Sequence, residues 1–125
     1  MKKLTLVALL ASATIAHAGS LPGYLEGRKN LSAWHKVVSP SFHSQEWIYN
    51  LNGVEVPYST VTLHGKTYYL GWICKPHDCA DNKVAYLPPV RGDNAYGELQ
   101  AMGSQTMWFG APDAEARQLL AGQLQ

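Results

Sequence analysis

The stretch Ser59-Thr60-Val61-Thr62-Leu63-His64-Gly65-Lys66-Thr67-Tyr68-Tyr69-Leu70-Gly71-Trp72-Ile73 decides the fold. Its first five residues are rich in β-branched side chains, His64-Gly65 is a tight-turn signal, and Lys66 to Ile73 is dense in β-forming aromatics. Together they predict a hairpin. In its second strand Tyr68, Leu70 and Trp72 point one way, while Tyr69, Gly71 and Ile73 point the other. Both faces are largely apolar, and such a strand belongs near the middle of a sheet covered on both sides.

Downstream, Lys83-Val84-Ala85-Tyr86-Leu87 resumes β character and is expected to lie antiparallel beside Lys66 to Ile73. Pro88, Pro89 and Arg91-Gly92-Asp93-Asn94 mark the next turn. Tyr96 to Met102 and Thr106 to Phe109 supply two more strands, with Gly103-Ser104 between them. Pro112 is expected to open a final helix through about Leu124, since proline suits the first helical turn and Asp113 and Glu115 suit its positive end.

Upstream, Leu21, Tyr24, Leu25, Leu31, Trp34, Val37 and Val38 recur at three- and four-residue steps, which is helical spacing. Gly23 and Gly27 weaken its start, which leaves a helix over Asn30 to Val38. Ser39-Pro40 ends it, because proline disfavours helical geometry in the residue before it. Ser44 to Tyr49 reads as a second helical turn with Trp47 and Ile48 inward, and Asn50 to Gly53 as a turn. The fold class is therefore α+β: a central antiparallel sheet of about five strands flanked by short helices.

The first eighteen residues read as a cleaved secretory signal. Lys2 and Lys3 form a positive region, Leu4 to Ile15 is a short apolar stretch, and Ala16-His17-Ala18 fits a small-x-small cleavage site. The remainder, 19–125, is expected to form a single exported domain. Its Lys and Arg nearly balance its Asp and Glu, with no block of like charge, which argues against nucleic acid and anionic membranes as partners. No second apolar segment is long enough to span a bilayer.

Between the two central strands lies Cys74-Lys75-Pro76-His77-Asp78-Cys79, whose ends are the only cysteines of the chain. In an exported protein such a pair is normally a disulfide, and closing so short a loop is credited with about 2 kcal/mol. Pro76 stiffens it further, leaving Lys75, His77 and Asp78 exposed on a turn expected at a sheet edge. A loop already held in its bound shape loses little entropy on association.

Other readings stand beside insertion into a partner. The loop can be an ordinary staple. A metal site would use Cys74, His77 and Cys79 with His64, but oxidised cysteines do not ligate as thiolates. A redox role would want C-x-x-C spacing. An enzyme built on His77 and Asp78 lacks a nucleophile, and adjacent loop residues rarely aim at each other.

The loop string resembles that of the inhibitor of vertebrate lysozyme (Ivy) family. The resemblance extends through Trp34-His35-Lys36-Val37-Val38, the Trp47 turn, Thr60-Val61-Thr62-Leu63-His64-Gly65-Lys66-Thr67-Tyr68 and Val84-Ala85. It implies a non-enzymatic periplasmic protein of Gram-negative bacteria, without cofactor or metal, that blocks the cleft of C-type lysozymes with a protruding loop. His77 would reach the two catalytic carboxyls, Lys75, Pro76 and Asp78 would position it, and Cys74 with Cys79 would form the bridge. A lytic transglycosylase is the alternative target, and monomer or homodimer is left open.

Other signals take plainer readings. Arg91-Gly92-Asp93 is expected to be a turn, and the sequon Asn30-Leu31-Ser32 falls at a helix. Trp34, Trp47 and Trp108 are expected in the core, and Trp72, at the loop base, either there or on a contact surface. His35, His43 and His64 have no partner visible in sequence and are expected at the surface or at caps.

Overall fold

The computed structural model describes residues 30–55, 57–101 and 105–125. The expected signal sequence 1–18, the helical spacing before Asn30, Met102 and the expected Gly103-Ser104 turn lie outside the described residues. In chain order the elements are α1 (Leu31–Val37), a 3-10 turn (Pro40–Phe42), α2 (Glu46–Tyr49), β1 (Val54–Glu55), β2 (Ser59–Leu63), β3 (Lys66–Cys74), β4 (Lys83–Leu87), β5 (Tyr96–Ala101), β6 (Gln105–Phe109) and α3 (Ala114–Gln123).

Helix α1 begins where Asn30 accepts the Ala33 N–H on its side-chain oxygen at 3.1 Å. It ends where Val38 turns extended before Ser39-Pro40. The β2–β3 turn is made by His64 (φ 53°) and Gly65 (φ 79°). Two successive positive φ values define the type I′ hairpin turn, whose twist matches that of the strands it joins.

The sheet order is β1-β3-β4-β5-β6, and all pairs are antiparallel. β3 is hydrogen-bonded along both edges. One edge takes β2 along its first half and β1 at its last two residues. The other takes β4, and the same register continues past β4 through Tyr69 N–H to Pro88 O (2.9 Å) and Val90 N–H to Thr67 O (2.8 Å).

β3 is also covered on both faces. On one, Ile73 joins Val84, Tyr86, Leu99 and Phe109 beneath Trp34, Ile48 and Leu51 of the N-terminal helical segment. On the other, Tyr68 and Leu70 join Leu63, Ala85 and Leu87 beneath Ala116, Leu120 and Leu124. The two sets expected from the alternation in β3 therefore face different helical layers. The additional strand β1 is too short for any period to announce it.

Helix α1 docks through Trp34, which is fully buried and donates its indole N–H to Ile48 O at 2.9 Å. The six-membered ring lies on Gly97: a Cβ there would stand 2.5 Å from Trp34 Cη2. Phe109, the register partner of Gly97, meets the indole edge-on with centroids 5.7 Å apart. The missing side chain at 97 and the ring at 109 together form the socket for the tryptophan.

Several sequence expectations are corrected. Pro112 is not in the first helical turn: α3 starts at Ala114, and Asp113 is its N-cap, accepting the Ala116 N–H at 2.9 Å. Trp108 is only half-buried, beneath the Arg117 guanidinium at 4.6 Å. His43 and His64 are exposed, as expected, and all three histidines have partners that the sequence did not show. His35 stacks on Tyr49 (4.1 Å, 7°) and donates to Asn50 Oδ1 at 3.0 Å, and His43 meets Tyr49 edge-on. His64 donates to Asp113 Oδ2 at 2.6 Å, tying the hairpin turn to the start of α3. Arg91-Gly92-Asp93 is a turn held against α1, with Gly92 O accepting from Asn30 at 2.7 Å and Asp93 paired to Lys36 at 2.7 Å.

Two outcomes follow. Gly97→Ala pushes Trp34 off the sheet and should cost about 1–3 kcal/mol in a urea titration, the usual penalty of overpacking. The Asp113 carboxyl is held below the ordinary carboxylate range, first by the Ala116 N–H and then by His64. A depressed folded-state value means that the unfolded chain binds more protons, so this stabilisation is present above about pH 4 and is lost as pH falls through the lower folded value. Asp113→Asn keeps a capping oxygen and should flatten the acid limb of the stability–pH curve.

Candidate functional site

β3 and β4 meet at the register pair Cys74↔Lys83, and the loop between them runs from Lys75 to Asn82. Because both strands are interior, the loop stands at the end of the sheet between its central strands, not at an edge as expected from sequence. Its first residue follows directly on β3, which is paired along both edges.

Cys74 is bridged to Cys79 with Cα atoms 4.8 Å apart, and no cysteine is free among the described residues. Cys74 is buried at the end of β3, whereas Cys79 is exposed. The bridge thus pins the outer segment to the buried end of a strand.

Inside the bridge the chain makes one tight turn. The Asp78 N–H donates to Lys75 O at 3.1 Å, which closes a four-residue β-turn with Pro76 and His77 at its centre. His77 has φ 67°. Proline fixes its own φ near −65°, so the turn is type II and not the doubly positive type I′. Type II turns ordinarily place glycine at the third position, since a side chain there costs about 1–2 kcal/mol. This turn carries an imidazole instead.

Lys75, Pro76 and His77 are exposed and Asp78 is half-buried. The structure therefore brings all four onto one turn, with His77 at its strained corner. At the loop base Trp72 is half-buried beneath Lys83, whose Nζ lies 5.5 Å from the ring centroid. His64 lies in the turn before Lys66, at the far end of β3, about 26 Å from the loop at 3.3 Å per residue. It does not join Cys74, His77 and Cys79 in a common site.

Sequence reasoning missed Asn82. It is buried, its carbonyl accepts from the Lys75 N–H at 3.0 Å, and its side-chain amide donates to Asp78 Oδ2 at 2.9 Å. An asparagine just before a strand is an ordinary turn signal, and nothing in the linear sequence announces which residue it reaches.

A small α+β domain whose cross-linked element is one exposed, strained turn is built to present a side chain. The chain belongs to the inhibitor of vertebrate lysozyme (Ivy) family, whose model matches residues 31–124. It is 30% identical over 119 residues to the inhibitor of vertebrate lysozyme of Pseudomonas aeruginosa, covering 83% of this chain and 72% of that protein. It is 27% identical over 121 residues to the protein of the same name from Escherichia coli, covering 90% and 76%. An uncharacterized protein of Yersinia pestis is 35% identical over 104 residues, covering 74% and 68%. The family is one of inhibitors, not enzymes.

The strain at position 77 has a measurable signature. Elsewhere glycine is less stable than alanine by about 0.5–1 kcal/mol. At a positive φ the order reverses, so His77→Gly should exceed His77→Ala in stability by about 1 kcal/mol in parallel urea titrations. Alanine equal to or above glycine would show that the turn is not held left-handed in solution.

Proposed function

We propose that the protein is an exported, periplasmic inhibitor of C-type lysozyme, with 19–125 as its mature domain. The loop closed by Cys74 and Cys79 enters the active-site cleft, and His77 meets the catalytic carboxyls there. Membership of the Ivy family supports lysozyme as the target class. The observation that carries the mechanism is His77 at φ 67° on an exposed, proline-led, disulfide-closed turn.

The chemistry fits such a target. A retaining glycosidase holds two carboxyl groups about 5 Å apart, one kept as an acid and one ionised, with lysozyme as the type case. An imidazole has nitrogens on both sides of one ring: it donates from one, and accepts or donates from the other according to its protonation. One side chain can thus answer both members of a mixed pair. Lys75, Pro76 and Asp78 shape the turn around it, and the polysaccharide is excluded without any reaction by the inhibitor.

The turn is closed before binding, so its ordering is not charged to association. His77→Ala and His77→Gly should each weaken inhibition of a C-type lysozyme at least about 30-fold, the loss of a central contact worth about 2 kcal/mol. Lysis of cell walls, measured beside unfolding curves of the same proteins, checks this. Undiminished inhibition by either folded variant would sink the loop mechanism. A parallel assay with a lytic transglycosylase tells whether the same loop serves against the acidic cleft of a bacterial wall enzyme.

A further inference from the structure

The disulfide and the type II turn close the outer part of the loop, but neither fixes its angle to the sheet on the returning side. Cys79, Ala80 and Asp81 are all exposed as the chain comes back toward β4. Asn82, the next residue, is buried at 8% exposure.

Three hydrogen bonds converge there. The Lys75 N–H donates to Asn82 O at 3.0 Å, one rung beyond Cys74↔Lys83 and in the same register, so the β3–β4 ladder runs on into the loop. The Asn82 side-chain amide reaches back to Asp78, 2.9 Å from Oδ2 and 3.5 Å from the carbonyl. The Asp78 N–H in turn donates to Lys75 O at 3.1 Å. Lys75, Asp78 and Asn82 therefore form a closed circuit directly beneath the corner occupied by His77.

The circuit does what the disulfide does not. The bridge limits how far Cys79 strays from Cys74, yet a ring joined to one strand end can still pivot about it. Asn82 ties the turn to the first residue of the ladder on the β4 side, giving the ring a second, separate attachment. A charge-assisted bond to a half-buried carboxylate is among the stronger hydrogen bonds available to a neutral amide.

We infer that Asn82 is a positioning residue for His77: it couples the loop to the sheet through Asp78 and fixes the direction in which the imidazole projects. The inference rests on His77 being the contacting residue, as proposed above. Asn82 itself is buried below the exposed corner that His77 occupies.

The test is a double-mutant cycle on Kd for a C-type lysozyme, using the mature, disulfide-intact protein with Asn82→Ala, His77→Ala and the pair. Asn82→Ala alone should weaken binding about tenfold, and in the His77→Ala background less than about twofold, because a residue that acts through His77 has nothing left to aim. Equal losses in both backgrounds, or none from Asn82→Ala, overturn the inference while leaving the role of His77 intact. Unchanged binding by His77→Ala alone overturns the loop mechanism and this inference with it. Should Asn82→Ala fold poorly, Asn82→Ser keeps a polar group at the buried site. In either folded variant the ¹⁵N order parameter at His77 should fall from about 0.85 to below 0.6 while β3 and β4 are unchanged. A rigid His77 in both would also overturn it.

Discussion

The double constraint on β3 governs everything else in this molecule. A nine-residue strand bonded along both edges and covered on both faces is pinned in its register and resists fraying. Slipping by one residue would exchange Tyr68 and Leu70 with Tyr69 and Ile73, and each helical layer would then meet the wrong surface. The end of β3 is therefore a firm anchor, and what it anchors, through the bridge and the Asn82 contacts, is the disulfide loop.

This explains why so small a domain can carry a strained residue. A left-handed histidine persists only where the surroundings over-determine it. Here the Cys74–Cys79 bridge, the fixed φ of Pro76, the Lys75–Asp78 turn bond and the Asn82 contacts all converge on one corner. The same backbone would form more easily with glycine at position 77. That an imidazole stands there points to a side chain retained for what it touches, and lysozyme inhibition is the role that the family relationship supports.

Much of this was legible in the sequence because it is written in short periods. Alternation in Lys66 to Ile73 gives the two faces of β3, His64-Gly65 gives the turn, and Ser39-Pro40 gives the end of α1. Contacts between distant residues left no such mark. The socket of Gly97 and Phe109 for Trp34, the His64–Asp113 pair and the reach of Asn82 to Asp78 each depend on strands folding back on one another. The loop's place between interior strands leaves no mark in the sequence for the same reason: strand order is a property of pairing, and β4 becomes interior only once β5 and β6 add to its far side.

The end of the sheet that carries the loop also carries Trp72 beneath Lys83, so the surface around His77 is shaped as well as the histidine itself. On the proposed mechanism, His77 is the group that meets the catalytic acids of the enzyme. A structure of the mature protein bound to a C-type lysozyme tests it most directly. The His77 imidazole should lie within hydrogen-bonding distance of both catalytic carboxyls, with the turn unchanged from the free protein. A complex in which the loop faces solvent, or the cleft is filled by another surface, would contradict it.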